Sequence, residues 1–157
     1  MSSEEVPIVH LDLPARAEGV GVVRQALVGV ADGLAIDEDV LSDAKMAVTE
    51  ACTNAVVHAY DGHEGRLDVE MFADHDRLTV VVRDQGAGIA PRPTRAGTTA
   101  LGLGLPLIAA LSDAFEMRGG PGAGTEVRMS FHYERNGDPA SENPITGGPG
   151  PSGKWES

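Results

Sequence analysis

The sequence predicts an α/β fold, a two-layer sandwich in which a mixed and mostly antiparallel sheet carries helices on one face. Two observations lead to this class. Five short segments alternate apolar and polar residues, as half-buried strands do, and three longer segments repeat apolar residues every three or four positions, as helices do. Most of the strand segments are neighbours joined by short turns, which favours antiparallel hairpins packed under a helical layer.

The chain opens with a strand that is followed by an amphipathic helix. The apolar residues between Val9 and Leu13 alternate with His10 and Asp12, so one face of this strand is expected to be buried. Beyond it, apolar residues at helical spacing predict a helix that ends near Gly33. These residues are Val20, Val23, Leu27, Val30 and Leu34.

A second helix is expected to begin at Asp37, Glu38 and Asp39, because negative charge stabilises the positive end of a helix dipole. Its small and apolar residues should pack against the sheet. The residues concerned are Val40, Leu41, Ala44, Val48, Ala51 and Ala55.

Two hairpins and a third helix complete the prediction. Segments 67–71 and 78–82 alternate on either side of a polar turn, and segment 115–118 faces 126–133 across a glycine-rich turn. Between the hairpins lies a short helix with one apolar side. That side is formed by Leu105, Ile108 and Leu111.

Chemistry-bearing residues lie near the end of the second helix. The helical period places Glu50, Asn54 and His58 on one stripe, with about 6 Å of helix axis between successive members. Asn54 is suited to bind Mg²⁺, which prefers oxygen ligands, and Glu50 is suited to act as a base. The same spacing also fits a solvated helix face. We expect His58 to pack or hydrogen-bond rather than to accept a phosphoryl group.

Two glycine-containing segments add to this pattern. Asp84 follows an apolar strand and precedes Gly86 and Gly88, so its carboxylate can accept a hydrogen bond from the exocyclic amine of adenine in a loop that allows close approach. Gly102 and Gly104 precede an apolar helical stretch, and free N–H groups at a helix start attract phosphate. Each segment alone is common in proteins, because surface turns and helix starts often look the same.

Together the four segments 45–60, 84–89, 102–108 and 124–129 resemble the GHKL ATPases, which share the Bergerat ATP-binding fold. Segment 45–60 is particularly similar to the anti-sigma factor serine-protein kinases of the RsbW and SpoIIAB type. The resemblance covers about residues 7 to 133.

The resemblance implies a role for each matching residue. Glu50 would be the general base, Asn54 would hold Mg²⁺ at the phosphates, Asp84 would recognise adenine, and Thr125 would lie beside the purine through water. ATP or ADP and Mg²⁺ are the implied cofactors. Further nucleotide-binding positions would be Gly86, Gly88, Gly102, Leu103, Gly104 and Leu105.

The segment that would cover the nucleotide departs from the family pattern. Only residues 90–100 lie between Ile89 and Leu101, and with such a short lid it is open whether the γ-phosphate is enclosed. Arg95, Thr98 and Thr99 are its candidates for phosphate contact, although a solvated loop is the favoured interpretation of each.

The function implied by the resemblance is an ATP-dependent protein serine/threonine kinase. It would phosphorylate a serine of an anti-anti-sigma partner of the STAS type, and it would bind an RNA polymerase sigma factor as an anti-sigma factor. Family members commonly form homodimers, and Arg24 falls where the resemblance puts a partner-contacting arginine, although a solvated helix charge fits it too. The alternative is a nucleotide-gated protein-binding regulatory module without kinase activity.

Composition and sequence pattern argue against several other classes of protein. The chain has 24 acidic and 12 basic residues and a net charge of −12, which argues against direct nucleic-acid binding. The N-terminal segment lacks the pattern of a signal peptide, and no stretch reaches the length of a membrane-spanning helix, so we expect a cytoplasmic protein with no membrane contact. Cys52 should be a packed side chain.

One domain is expected over residues 1–134, and residues 135–157, rich in Gly and Pro, are expected to form a disordered tail.

Overall fold

The computed structural model describes residues 5–59, 65–86, 104–119 and 123–134. Within them the fold class predicted from the sequence is confirmed: three helices lie over one face of a five-stranded sheet. The elements are β1 (Val9–Pro14), α1 (Ala17–Gly33), α2 (Glu38–Asn54), a π-helical turn (Ala55–Ala59), β2 (Arg66–Ala73), β3 (Arg77–Asp84), α3 (Gly104–Leu111), β4 (Ala114–Gly119) and β5 (Thr125–His132).

The sheet has the strand order β1-β2-β3-β5-β4, and every pair of neighbouring strands among the described residues is antiparallel. The predicted sheet was mixed and mostly antiparallel, whereas all pairs of described strands are antiparallel. Both predicted hairpins are present, β2 with β3 and β4 with β5. Because β5 pairs with β3, the start of β5 lies beside the end of β3, with Thr125 opposite Asp84.

Alternation along the strands gives the sheet two different faces. The face under the helices is apolar and forms the core, in which Leu67, Val80 and Met129 are fully buried. The other face, called here the outer face, carries a row of charged side chains across all five strands in register. The row is formed by Asp12, Asp68, Arg83, Glu126 and Arg118.

Helix α1 ends near the predicted residue, and its buried stripe includes Val23 and Leu27. The chain then turns through Ala35, which has a positive φ of 54°. The N–H of Ile36 donates to the carbonyl of Ala31, five residues earlier. This bond commonly ends a helix that is followed by a residue with a left-handed backbone conformation.

Helix α2 begins where the acidic residues predicted it. Asp37 is the N-cap, and its side chain accepts a hydrogen bond of 2.9 Å from the N–H of Val40. Of the predicted contact residues, Ala44, Val48, Ala51 and Ala55 are buried. Val40 and Leu41 are partly buried against the core. Cys52 is fully buried, as predicted, and burial raises the pKa of its thiol to about 12.

The predicted α-helical spacing does not continue to His58. Regular α-helix ends at Asn54, and Ala55–Ala59 form a π-helical turn. Hydrogen bonds in a π-helix span five residues rather than four, so the 3.6-residue period relates Glu50 to Asn54 but not Asn54 to His58. The side chain of His58 lies outside the described part of the chain.

Helix α3 starts at Gly104 and packs against α2. Ile108 on its predicted apolar side is fully buried, and Leu105 and Leu111 are partly buried against the same core. No helix in the described ranges is both long and apolar enough to cross a membrane. The tail predicted over residues 135–157 falls outside these ranges.

Candidate functional site

The end of β3 carries a half-buried carboxylate. Asp84 is the last residue of the strand, and its Oδ1 accepts a hydrogen bond of 3.0 Å from the N–H of Gly86. Burial raises the pKa of Asp84, while the backbone N–H groups of Gly86 and Thr125, which donate to the carboxylate, lower it by less. The site therefore holds an acceptor that water solvates poorly and that a ligand donor would stabilise when ionised.

The start of β5 closes on this carboxylate through a glycine. Gly124 has a positive φ of 75°, and a Cβ placed there would collide with the carbonyl oxygen of Asp84. Glycine is therefore needed for both its backbone conformation and its lack of a side chain. Its close approach lets Thr125 lie opposite Asp84 at the end of the sheet.

A second cluster forms where α2 meets α3. The carboxamide of Asn54, at the last residue of α2, lies against Gly104, the first described residue of α3. A Cβ built on Gly104 would lie 2.8 Å from Nδ2 and 3.2 Å from Oδ1 of Asn54. The structure therefore brings the first and third sequence motifs into direct contact.

Glu50 lies one turn before Asn54 on the same helix and is partly exposed. Within the described ranges, neither Glu50 nor Asn54 has a side-chain hydrogen bond or ion pair. Both side chains keep oxygen atoms that can accept a proton or bind a cation.

Two packing contacts connect the Asn54 cluster to the Asp84 cluster. The π-helical turn that comes after Asn54 lies against β3, and α2 packs against β5 as well as α3. The helix carrying Glu50 and Asn54 is thus held against both strands that form the Asp84 end.

A groove of about 690 Å³ opens at the same end of the sheet on its outer face. Asp84, Gly124 and Thr125 contribute to its lining, together with charged outer-face residues such as Arg66 and Glu70. Among the described residues, Glu50, Asn54 and Gly104 do not line it. The groove therefore meets the candidate site only at the Asp84 end.

Several predicted site residues lie outside the part of the chain that the structure describes. These are Gly88, Gly102, Leu103 and the lid at residues 90–100. Leu105 is in the first turn of α3, where it packs against the core. Arg24 is exposed on α1.

Three features of this site were not predicted from the sequence. They are the contact of Gly104 with Asn54, the positive φ of Gly124 and the π-helical turn after Asn54. Gly124 could have been singled out, because a glycine at the entrance of a strand often marks a left-handed residue or a close approach. The other two carry no local sequence pattern.

The described geometry does not by itself form a metal centre. Within the described part of the chain, no three His, Cys, Asp or Glu side chains are grouped closely enough to hold a metal ion. Mg²⁺ does not need such a group, since it usually takes one or two protein oxygens and keeps water and phosphate oxygens as its other ligands.

Comparison with known families shows to which class of protein the chain belongs. Residues 13–131 match the family described as the histidine kinase-like ATPase domain. Serine-protein kinase RsbW of Bacillus pumilus is 34% identical to the chain, and the match covers 85% of this chain and 91% of the relative. The RsbW proteins of Bacillus velezensis and Bacillus subtilis are 35% and 32% identical, over 85% and 81% of this chain and 91% and 88% of theirs.

The chain therefore belongs to the histidine kinase-like ATPase family and, within it, to the group of the serine-protein kinase RsbW. This confirms the resemblance found in the sequence motifs, and it favours the kinase interpretation over the module without kinase activity.

Solved structures agree at the level of the fold. The RsbU and RsbW domains of a Mycobacterium tuberculosis protein match 83% of this chain with a TM-score of 0.61 and 22% identity, and this chain spans 34% of that longer chain. The histidine kinase domain of a blue-light activated kinase from Erythrobacter litoralis matches 83% of this chain and 64% of its own, with a TM-score of 0.51 and 18% identity.

Proposed function

We propose that this protein is an ATP-dependent protein kinase that transfers the γ-phosphoryl group of Mg·ATP to a serine of a small protein partner. Its family membership supports nucleotide use and kinase chemistry. The observation that carries the proposal is the contact of Asn54 with Gly104, one helical turn from Glu50. This contact puts an oxygen ligand and a carboxylate beside the start of α3, where free N–H groups favour phosphate.

Asp84 recognises the adenine base in this proposal. Its carboxylate is half-buried at a strand end and already accepts from the N–H of Gly86, and the remaining acceptor capacity suits the exocyclic amine of adenine. Thr125, opposite Asp84, lies beside the purine through water. Gly86 and Gly88 keep this wall of the site free of side chains.

Asn54 would hold the magnesium ion through its Oδ1. The fit is supported by the free carboxamide, by its place at the start of α3, and by the preference of Mg²⁺ for a small number of protein oxygens. When bound, Mg²⁺ neutralises charge on the phosphates. Gly102, Leu103, Gly104 and Leu105 contribute backbone N–H groups to the phosphates.

Glu50 acts as the general base that takes the proton from the serine hydroxyl. It is partly exposed and lies on the same helix face as Asn54, so an acceptor side chain can approach it from solvent. Phosphoryl transfer proceeds through a loose transition state, so positioning and charge neutralisation supply most of the catalysis.

The protein partner is an anti-anti-sigma protein of the STAS type, and the same protein binds an RNA polymerase sigma factor as an anti-sigma factor. The RsbW group to which the chain belongs supports this assignment. Arg24, exposed on α1, contacts the partner, and the functional unit is a homodimer located in the cytoplasm.

The test compares Glu50→Gln with Asp43→Asn, a neutralisation at an exposed position on the same helix. We expect Glu50→Gln to bind Mg·ATP within about twofold of wild type and to lose serine phosphorylation by roughly 10²-fold or more, because general base catalysis contributes that much. Asp43→Asn should retain both. Labelled ATP and a purified STAS protein from the same genome give the transfer rate, and titration calorimetry gives the affinity. Unimpaired transfer by Glu50→Gln would refute the base assignment, and a wild-type protein that binds ATP but never modifies the serine would leave the binding module as the function.

A further inference from the structure

Gly104 lies where a side chain would displace the proposed magnesium ligand. All three atoms nearest to a Cβ built at this position belong to the Asn54 carboxamide: Nδ2 at 2.8 Å, Oδ1 at 3.2 Å and Cγ at 3.4 Å. Carbon side chains essentially never approach polar atoms this closely, so one of the two groups would have to move.

We propose that Gly104 is a positioning residue that leaves the space in which the Asn54 carboxamide is held in its metal-binding orientation. This inference rests on the proposed function, because it takes Asn54 as the magnesium ligand. It assigns Gly104 a role through its missing side chain, in addition to any contact of its backbone with phosphate.

Backbone conformation does not explain the glycine. Among the described glycines only Gly119 and Gly124 have a positive φ, so the backbone of Gly104 is one that alanine adopts without strain. Alanine is also a better helix former than glycine within a helix such as α3. The free space that Gly104 leaves beside Asn54 is therefore what the glycine provides.

The effect of replacing a glycine depends on which atoms the added Cβ would meet. At Gly19 a Cβ would meet the backbone carbonyl oxygen of Pro14 at 2.9 Å, and a backbone atom cannot be displaced without disturbing β1. At Gly104 the obstructing atoms are the end of a side chain, which can rotate. Gly104→Ala should therefore fold, and its cost should appear as a displaced Asn54 carboxamide.

The first experiment is a double-mutant cycle without nucleotide. It measures the melting temperatures of wild type, Gly104→Ala, Asn54→Ala and the double variant. We expect Gly104→Ala to lower the melting temperature when Asn54 is present and to raise it in the Asn54→Ala background, because the shorter side chain of that background lacks the three obstructing atoms. Equal effects in both backgrounds would overturn the proposal.

Gly29→Ala serves as the matched control, because a Cβ at this α1 position meets nothing within 4 Å. Its effect on the melting temperature should be the same with and without Asn54. This separates helix propensity from the contact at Gly104.

The second experiment measures ATP affinity with excess Mg²⁺ and with EDTA. Gly104→Ala should weaken Mg·ATP binding by about tenfold, as loss of a group that orients a metal ligand typically does, and should change the affinity in EDTA by less than about twofold. In the Asn54→Ala background, Gly104→Ala should cost no further affinity. Equal losses with and without Mg²⁺ would overturn the positioning role, since they would indicate a contact with phosphate alone. Failure of the wild type to bind ATP would refute the proposed function, and the melting cycle would still decide whether Gly104 holds Asn54 in place.

Discussion

At the scale of single residues, Asp84 shows how a proposed binding group can oppose stability. Burial raises its pKa above the ordinary value of 3.8, so the folded chain binds a proton at this carboxylate more readily than the unfolded chain does. Stability from this group is therefore present at low pH and falls as the pH rises from 3.8 through the raised value. At neutral pH the ionised carboxylate costs stability, and a bound donor would recover part of that cost.

Asp84→Asn tests this balance. We expect the melting temperature of the nucleotide-free protein at pH 7 to equal or exceed that of wild type, because the variant has no charge to desolvate. Any difference should disappear at acidic pH, where Asp84 is protonated. ATP affinity should fall about tenfold or more, since a hydrogen bond to a charged acceptor is lost. An Asp84→Asn variant that binds ATP as tightly as wild type would remove adenine recognition from this residue.

The chemical roles of single residues could be proposed from the sequence, but the contacts between distant residues could not. Glu50, Asn54 and Asp84 were identified from the sequence because their side chains carry the chemistry and their spacing follows the helix and strand periods. The contact between Gly104 and Asn54 could not be found in this way, because it depends on how closely α3 approaches α2. The site roles of Glu50, Asn54 and Asp84, like those of Gly88, Gly102 and Leu103, stay predictions.

At the scale of elements, the turn into β5 is the most constrained described segment of the site. Gly124 combines a positive φ with an approach to Asp84 that leaves no room for a side chain. The predicted hairpin placed this turn correctly, since β4 and β5 pair across it. Periodicity could not show that the turn also contacts the end of β3, which is paired to β5 from the other side.

Gly124→Ala should therefore cost both stability and binding. We expect a loss of about 2 kcal/mol or more in the free energy of unfolding, from the strained backbone and the collision with the Asp84 carbonyl oxygen. Gly29→Ala, at an open helix position, should gain about 0.5–1 kcal/mol in the same urea titration. Wild-type stability in Gly124→Ala would show that the β5 turn can move away from Asp84.

At the scale of the whole molecule, the outer face of the sheet is polar, and paired charged side chains cover it. Arg83 lies at the middle of its charged row, paired with Glu70, with Glu126 at 2.7 Å and with Asp68 at 3.4 Å. Val81, between Glu70 and Arg128 in register, is fully buried although it lies on this face. Long charged side chains therefore cover the backbone and apolar atoms here. Alternation predicted which residues face outward, but not that three carboxylates would share one guanidinium.

Arg83→Met should leave these three carboxylates to repel one another. We expect a loss of about 1–2 kcal/mol in urea unfolding at low salt, discounted for the 36% exposure of the arginine, and a smaller loss in 1 M salt, which screens the repulsion. Arg118→Met is the control, because Arg118 is 71% exposed and pairs with Glu116 alone among the ion pairs found in the described ranges. Its loss should be clearly smaller than that of Arg83→Met, because solvent screens an exposed pair. Equal losses for the two variants would contradict a central role for Arg83.

The π-helical turn at Ala55–Ala59 lies immediately after Asn54. It contains one residue more than a turn of α-helix would. A single deletion inside this turn would restore regular helix and leave the chain downstream facing nearly the same way, because the turn already absorbs one extra residue. The same deletion between Glu50 and Asn54 would rotate the carboxylate by about 100° relative to the carboxamide. A change of one residue in this turn therefore leaves the angular relation between Glu50 and Asn54 unchanged.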